Sequence, residues 1–182
     1  MRIAFHWRIS EGAVLALALF WFFDASGLFA AAIPAVLVHE CGHIAALLLC
    51  GASLRGIRIG LTGIQIDYVN LDSLAGSLFA LAAGPGAGLF YALLACRFGD
   101  AYLRLSGAVS LAFTLFNLLP VLPLDGGRLA AAILGERSAQ WVSRIAAPLL
   151  LIAGAALLLT RRTPGLLFSA AWLTAQNYFY ED

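Results

Sequence analysis

The sequence predicts an all-α polytopic membrane protein of about six transmembrane helices, with a small β-hairpin between helices two and three. Composition gives the first reason. Of 182 residues, 62% are hydrophobic and 12% charged, against roughly 45–50% and about 25% in a soluble domain, and the mean hydropathy is +0.91. So short a chain has too much surface for its volume to hide that apolar area in one water-soluble core. The second reason is six apolar runs near the roughly 20 residues that a spanning helix needs. The third is one segment whose hydrophobic period drops to two.

The same composition excludes disorder, a collagen and a disulfide scaffold. A formal charge of +1 offers no basic stripe for nucleic acid. Every basic residue is Arg, which reads as codon usage rather than function. Cys41, Cys50 and Cys96 form an odd set inside apolar stretches and suggest no disulfide framework.

The N-terminal stretch MRIAFHWRISEG is too mixed for a signal peptide, so the first hydrophobic span is expected to be retained. The spans fall at 10–26, 28–50, 73–96, 105–124, 145–160 and 164–180. Only Asp24, Ser26 and Gly27 split the first two, so that turn is tight. The fifth span is short and expected to tilt or lie shallow; five spans is the fallback. No linker, repeat or second domain is visible, and residues 1–182 read as a single transmembrane domain. Six spans put both termini on one side, with Arg2, Arg8, Arg55, Arg58, Arg128, Arg137 and Arg144. The other side carries Arg97, Arg104, Arg161 and Arg162. The positive-inside rule then places both termini in the cytoplasm.

Between spans two and three, Ile57, Ile59 and Leu61 alternate, and Ile64, Ile66 and Tyr68 alternate again after a Thr62-Gly63 break. That pattern is a β-hairpin. One reading makes it an amphipathic connector on the membrane surface. The other makes it an edge strand that a substrate can join.

Residues 39–43 read His-Glu-Cys-Gly-His within span two. Residues four apart share a helix face, so His39 and His43 can bind one metal ion. Glu40, one residue on, is placed to take a proton from an attacking water. Three ionisable residues within five positions of a spanning helix are expensive unless they bind something; the plain alternative is a polar patch pairing with neighbouring helices. His6, near Arg2, Trp7 and Arg8, reads as an interfacial residue, so a third protein ligand must be a carboxylate or thiolate. Cys41 points to another side of the helix and Cys50 lies two turns on, so neither fits.

Residues 117–128 read NLLPVLPLDGGR. Pro120 and Pro123 break any helix, and Gly126-Gly127 permits a sharp, close-approaching turn. Irregular backbone at membrane depth is tolerated where it is buried in protein or lines a watery cavity. Asp125 stands at its centre. Span two and the end of span four both run towards the cytoplasm, so His39, His43 and Asp125 can meet in the cytoplasmic half. The plain alternative for Asp125 is a turn-former or a helix cap before Gly126.

HECGH in one span, AAGPGAG in the next and NLLPVLPLDGGR in the one after resemble the site-2 protease family of intramembrane zinc metalloproteases. The resemblance covers about residues 30–130. It implies that His39, His43 and Asp125 hold Zn2+, that Glu40 is the catalytic base, and that Asn117 helps bind substrate or stabilise the reacting carbonyl. The family's third-helix motif usually has an Asn where this chain has Gly88. Gly84 and Gly88, four apart, keep a face suited to close helix packing. With no room for a PDZ or CBS domain, the compact form most resembles the stage IV sporulation protein FB group, which implies a bacterial multi-pass membrane protein and a membrane-associated sigma-factor precursor as substrate.

The expected activity is hydrolysis of peptide bonds in or near a substrate's transmembrane segment. The partners are then a membrane-associated substrate and the lipid bilayer, with an oligomer allowed and no nucleic acid. A helical substrate must unwind locally, and strand addition at Ile64, Ile66 and Tyr68 would satisfy its freed backbone groups. Two rivals remain: a membrane metal-binding or transport protein using the same ligands, and an inactive relative acting as a membrane chaperone.

Overall fold

The computed structural model describes residues 5–24, 26–60, 63–161 and 165–179. They form two compact units, Met1–Phe116 and Asn117–Asp182. Thr62, half of the expected turn, lies outside the described residues, as do Leu61, Arg2 and Arg162.

The first unit opens with β1 (His6–Ile9) and α1 (Glu11–Phe23). The Ser10 side chain caps α1 by accepting from the Ala13 N–H at 3.2 Å. The tight turn into α2 (Leu28–Leu49) is made by Asp24, whose carboxylate accepts from the N–H groups of Leu28, Phe29 and Ala30 at 3.0, 2.9 and 3.3 Å. Gly27 takes a φ of 71°, where a side chain would be strained. Next come β2 (Ser53–Gly60), β3 (Gly63–Val69), α3 (Leu74–Phe98) and α4 (Ala101–Asn117).

The hairpin is present: β2 and β3 pair antiparallel, with Ile57 opposite Ile66 and Ile59 opposite Ile64. The all-α expectation is corrected by one strand, because β1 pairs parallel to β2, His6 against Gly56 through Ile9 against Ile59. A Cβ at Gly56 would overlap the His6 carbonyl, so glycine permits this approach. His6 belongs to the sheet, its Nε2 3.5 Å from Asp67 Oδ2. Arg58 donates to Asp67 through Nε and Nη2 at 2.9 and 2.6 Å, which holds the Asp67 carboxyl below the usual carboxylate range. The strand order β1-β2-β3 leaves β3 with one unpaired edge among the described residues. Ile66 packs on a cluster of Ala46, Leu47, Ala52 and Ala80, whereas Tyr68 is exposed.

Three helices carry stripes of small or polar residues at a spacing of four. Buried Ala31, Ala35 and His39, then His43, line one face of α2. Gly76, Ala80, Gly84, Gly88 and Ala92 line α3. Ser106, Ser110 and Thr114 line α4. Small faces let backbones approach and free the buried hydroxyls to bond across helices. Ser106 donates to the Ala31 carbonyl at 2.7 Å and Ser110 to the Gly88 carbonyl at 2.9 Å.

The second unit holds α5 (Asp125–Leu134), α6 (Glu136–Arg161) and α7 (Gly165–Phe179). Buried Ala147 and Ala170 mark the inner faces of α6 and α7, and Gly154 lies directly on the backbone of Leu166 and Leu167.

Each expected span falls on a helix, but among the described residues only α2, α3 and α6 are long and apolar enough to cross a membrane. At about 1.5 Å per residue, the 13 residues of α1 and the 15 of α7 fall short of a full crossing. The fourth span is not continuous to 124, because α4 stops at Asn117 before Pro120 and Pro123. The fifth is not short: α6 has 26 residues and begins at Glu136, taking Arg137, Trp141 and Arg144 into its first turns. Many large apolar side chains, among them Leu15, Phe22, Leu49, Phe98 and Leu159, lie on the outside of the helices.

Candidate metal centre

In the first unit the α2 periodicity brings the two motif histidines onto one face, with Nε2 of His39 3.2 Å from Nε2 of His43. Two nitrogens held at 2.0–2.1 Å by one tetrahedral zinc lie about 3.4 Å apart, so the pair has the separation of ligands sharing an ion. His43 Nδ1 is 2.8 Å from the Ala80 carbonyl. A carbonyl only accepts, so Nδ1 carries the proton and Nε2 carries the lone pair that a metal ligand requires. His39 is almost fully buried, and Phe113 of α4 meets its ring edge to face at 5.0 Å. The donor set and its tautomer therefore fit a metal.

The glycines of α3 make room for this pair. A Cβ on Gly84 would fall inside the His43 imidazole. One on Gly88 would overlap Oγ1 of buried Thr114 and lie 3.5 Å from His39 Nδ1. At Gly88 the Thr114 hydroxyl thus occupies the space where a side chain would begin. Glu40 follows His39 on α2 and is half-buried, whereas Cys41 is exposed on another side. All three cysteines are free thiols.

In the second unit Asp125 is buried and is the first residue of α5; the cap residue is Leu124. Gly126-Gly127 is therefore not a turn but the first turn of a helix. It does make a close approach, since Cβ atoms there would overlap the Leu118 and Leu119 carbonyls and the Val121–Leu122 peptide. Asn117, half-buried, ends α4.

Sequence reasoning missed two residues that hold the 118–124 segment. The Leu122 N–H donates to Ser143 Oγ at 2.8 Å, Ser143 Oγ–H donates to Asn177 Oδ1, and Asn177 Nδ2 donates back to the Leu122 carbonyl at 2.7 Å. Nδ2 also donates to the Leu173 carbonyl at 2.9 Å. Leaving a backbone group unpaired where it is fully buried costs about 1–3 kcal/mol, and these part-buried groups of Leu122 are both paired. A serine and an asparagine embedded in the apolar helices α6 and α7 were the available signal.

Fold and site thus define a helical chain with span-length apolar helices and a pair of histidines spaced as two ligands of one metal ion are. Residues 98–161 match the family model for Peptidase family M50. The stretch contains Asn117 and Asp125 but not the histidine motif. The chain is 33% identical over 111 residues to "Putative zinc metalloprotease sll0528" of Synechocystis sp., covering 56% of this chain and 29% of that protein. It is 30% identical over 135 residues to "Putative zinc metalloprotease Rip3" of Mycobacterium tuberculosis, covering 65% of this chain and 33% of that one. The chain thus spans about a third of the length of these curated relatives. Its fold is similar to the site-2 protease from Methanocaldococcus jannaschii, with a TM-score of 0.69 and 19% identity over 100% of this chain and 94% of that one. The chain is thus similar over part of its length to Peptidase family M50 and to two proteins named as zinc metalloproteases, and similar in fold to a site-2 protease.

Proposed function

We propose that the protein is an intramembrane zinc metalloprotease of the site-2 protease type, a single transmembrane domain of about six transmembrane helices with its catalytic core at about 28–130. The observation that carries this reading is the His39–His43 pair, its Nε2 atoms 3.2 Å apart and its His43 tautomer set by Ala80. Asp125 completes the ligand set. Each of His39, His43 and Asp125 offers one ligand atom, and two histidines with one carboxylate leave the fourth position of a tetrahedral centre open, as catalytic zinc requires. When bound, zinc supplies Lewis acidity and makes water acidic enough to ionise near neutral pH.

The chain's own residues do the rest. The Glu40 carboxylate takes the proton of the attacking water and passes it to the leaving amine. The Asn117 side-chain amide donates a hydrogen bond to the carbonyl oxygen as it gains negative charge. The unpaired edge of β3, at Ile64, Ile66 and Tyr68, receives the unwound substrate as an added strand. The active site faces the cytoplasmic half of the membrane. A sigma-factor precursor as substrate rests on the sequence resemblance alone.

Cleavage of a transmembrane reporter peptide by the purified protein in detergent tests this reading. It is expected to stop when a chelator strips the metal and to return when zinc is restored. In the same assay Ile66→Pro removes one backbone donor and is expected to lower turnover several-fold with zinc still bound. Turnover that ignores the chelator would refute the metalloprotease; unchanged turnover by Ile66→Pro would remove the strand-addition step.

A further inference from the structure

We propose that Ser143 and Asn177 are positioning residues that hold Asp125 where it can bind the metal, an inference that rests on the reading of Asp125 as a ligand. The segment between α4 and α5 has no regular hydrogen bonding, and Pro120 and Pro123 bring no N–H of their own. Leu122, three residues before Asp125, has both backbone groups bound by side chains from two different helices. The bonds close on themselves: Leu122 N–H to Ser143, Ser143 to Asn177, and Asn177 to the Leu122 carbonyl. Ser143 is fully buried, and Asn177 spends its remaining donor on Leu173, one turn earlier in α7. Leu122, Ser143 and Asn177 are each bonded to the other two, and a polar network closed in this way is a stiff clamp.

The clamp reaches Asp125 through backbone. Leu124 N–H donates to the Val121 carbonyl at 2.9 Å and Arg128 N–H to the Leu124 carbonyl at 3.0 Å. Gly127 sits so close that its Cβ would lie 2.5 Å from the Val121 carbonyl carbon and 2.6 Å from the Leu122 nitrogen. The first turn of α5 therefore rests directly on the peptide that Ser143 and Asn177 grip. A shift of Leu122 moves the start of α5, and with it the carboxylate. Metal sites demand placement within about 0.5 Å, and losing a group that orients a ligand typically weakens metal binding 10–100-fold.

The test is zinc affinity, measured by chelator competition on full-length protein in detergent. Asn177→Leu and Ser143→Ala are each expected to weaken binding about tenfold or more. The double variant is expected to be little worse than the worse single one, because both cut the same circuit. Thr174→Val is the control: it removes a hydroxyl bond in α7, to the Ala170 carbonyl at 2.8 Å, that lies outside the circuit. Its affinity is expected to stay at the wild-type value, which separates positioning from general loosening of α7. Should Asn177→Leu not fold, Ser143→Ala is judged by the same criterion. Wild-type affinity in both variants, with Asp125→Ala having lost zinc, would overturn the clamp while sparing the ligand reading. Full zinc in Asp125→Ala would overturn the ligand reading, and the clamp with it.

Discussion

Glu40→Gln is expected to abolish cleavage of a transmembrane substrate while zinc remains bound in full. The substitution keeps the size of the side chain on α2 and both neighbouring ligands, and removes only the capacity to take up a proton. General-base catalysis is worth about 10²–10⁴-fold, so residual turnover below about one hundredth of wild type is the expected reading. Glu40 also separates the rivals. A transport site built from His39, His43 and Asp125 has no use for a base beside it, so a transporter would keep its metal flux in Glu40→Gln. An inactive relative would have no turnover to lose in the wild type. Retained cleavage by Glu40→Gln would remove the proposed base.

Gly84→Ala is expected to cost most of the bound zinc although every proposed ligand is still present. On propensity alone the change should help, since alanine is favoured over glycine by about 1 kcal/mol inside a helix. The geometry opposes it, because the new methyl group would lie inside the His43 ring. His43 must then turn away, give up its 2.8 Å bond to the Ala80 carbonyl, and carry Nε2 off its position beside His39. A drop in zinc affinity of at least tenfold is expected. Gly86→Ala is the matched control, since a Cβ there meets nothing within 4 Å. Equal zinc affinity in Gly84→Ala and Gly86→Ala would show that α3 does not seat His43.

What could be read from the sequence was what leaves a local periodic mark. Apolar runs located the helices, a spacing of four put His39 and His43 on one face, and alternation around Gly63 marked β2 and β3. What escaped depends on contacts distant in sequence. The strand β1 is four residues long and pairs in parallel with residues fifty positions away, so its own pattern carries no signal. Helix α5 starts inside a Pro- and Gly-rich stretch that reads as a turn, because close packing on Val121 and Leu122 lets two glycines sit in a helical first turn. Ser143 and Asn177 look like minor polar interruptions of α6 and α7, and their significance appears only once Leu122 is found between them. Helix length is not legible either: an apolar run fixes composition, but Pro120 and Pro123 cut the fourth run and the fifth helix extends back to Glu136.

A zinc centre held by His39, His43 and Asp125 is tested by zinc content per protein in detergent for wild type, Glu40→Gln and Asp125→Ala. About one zinc is expected in the first two and far less in the third. A folded wild type without zinc, or an Asp125→Ala protein that keeps its full complement, would contradict it.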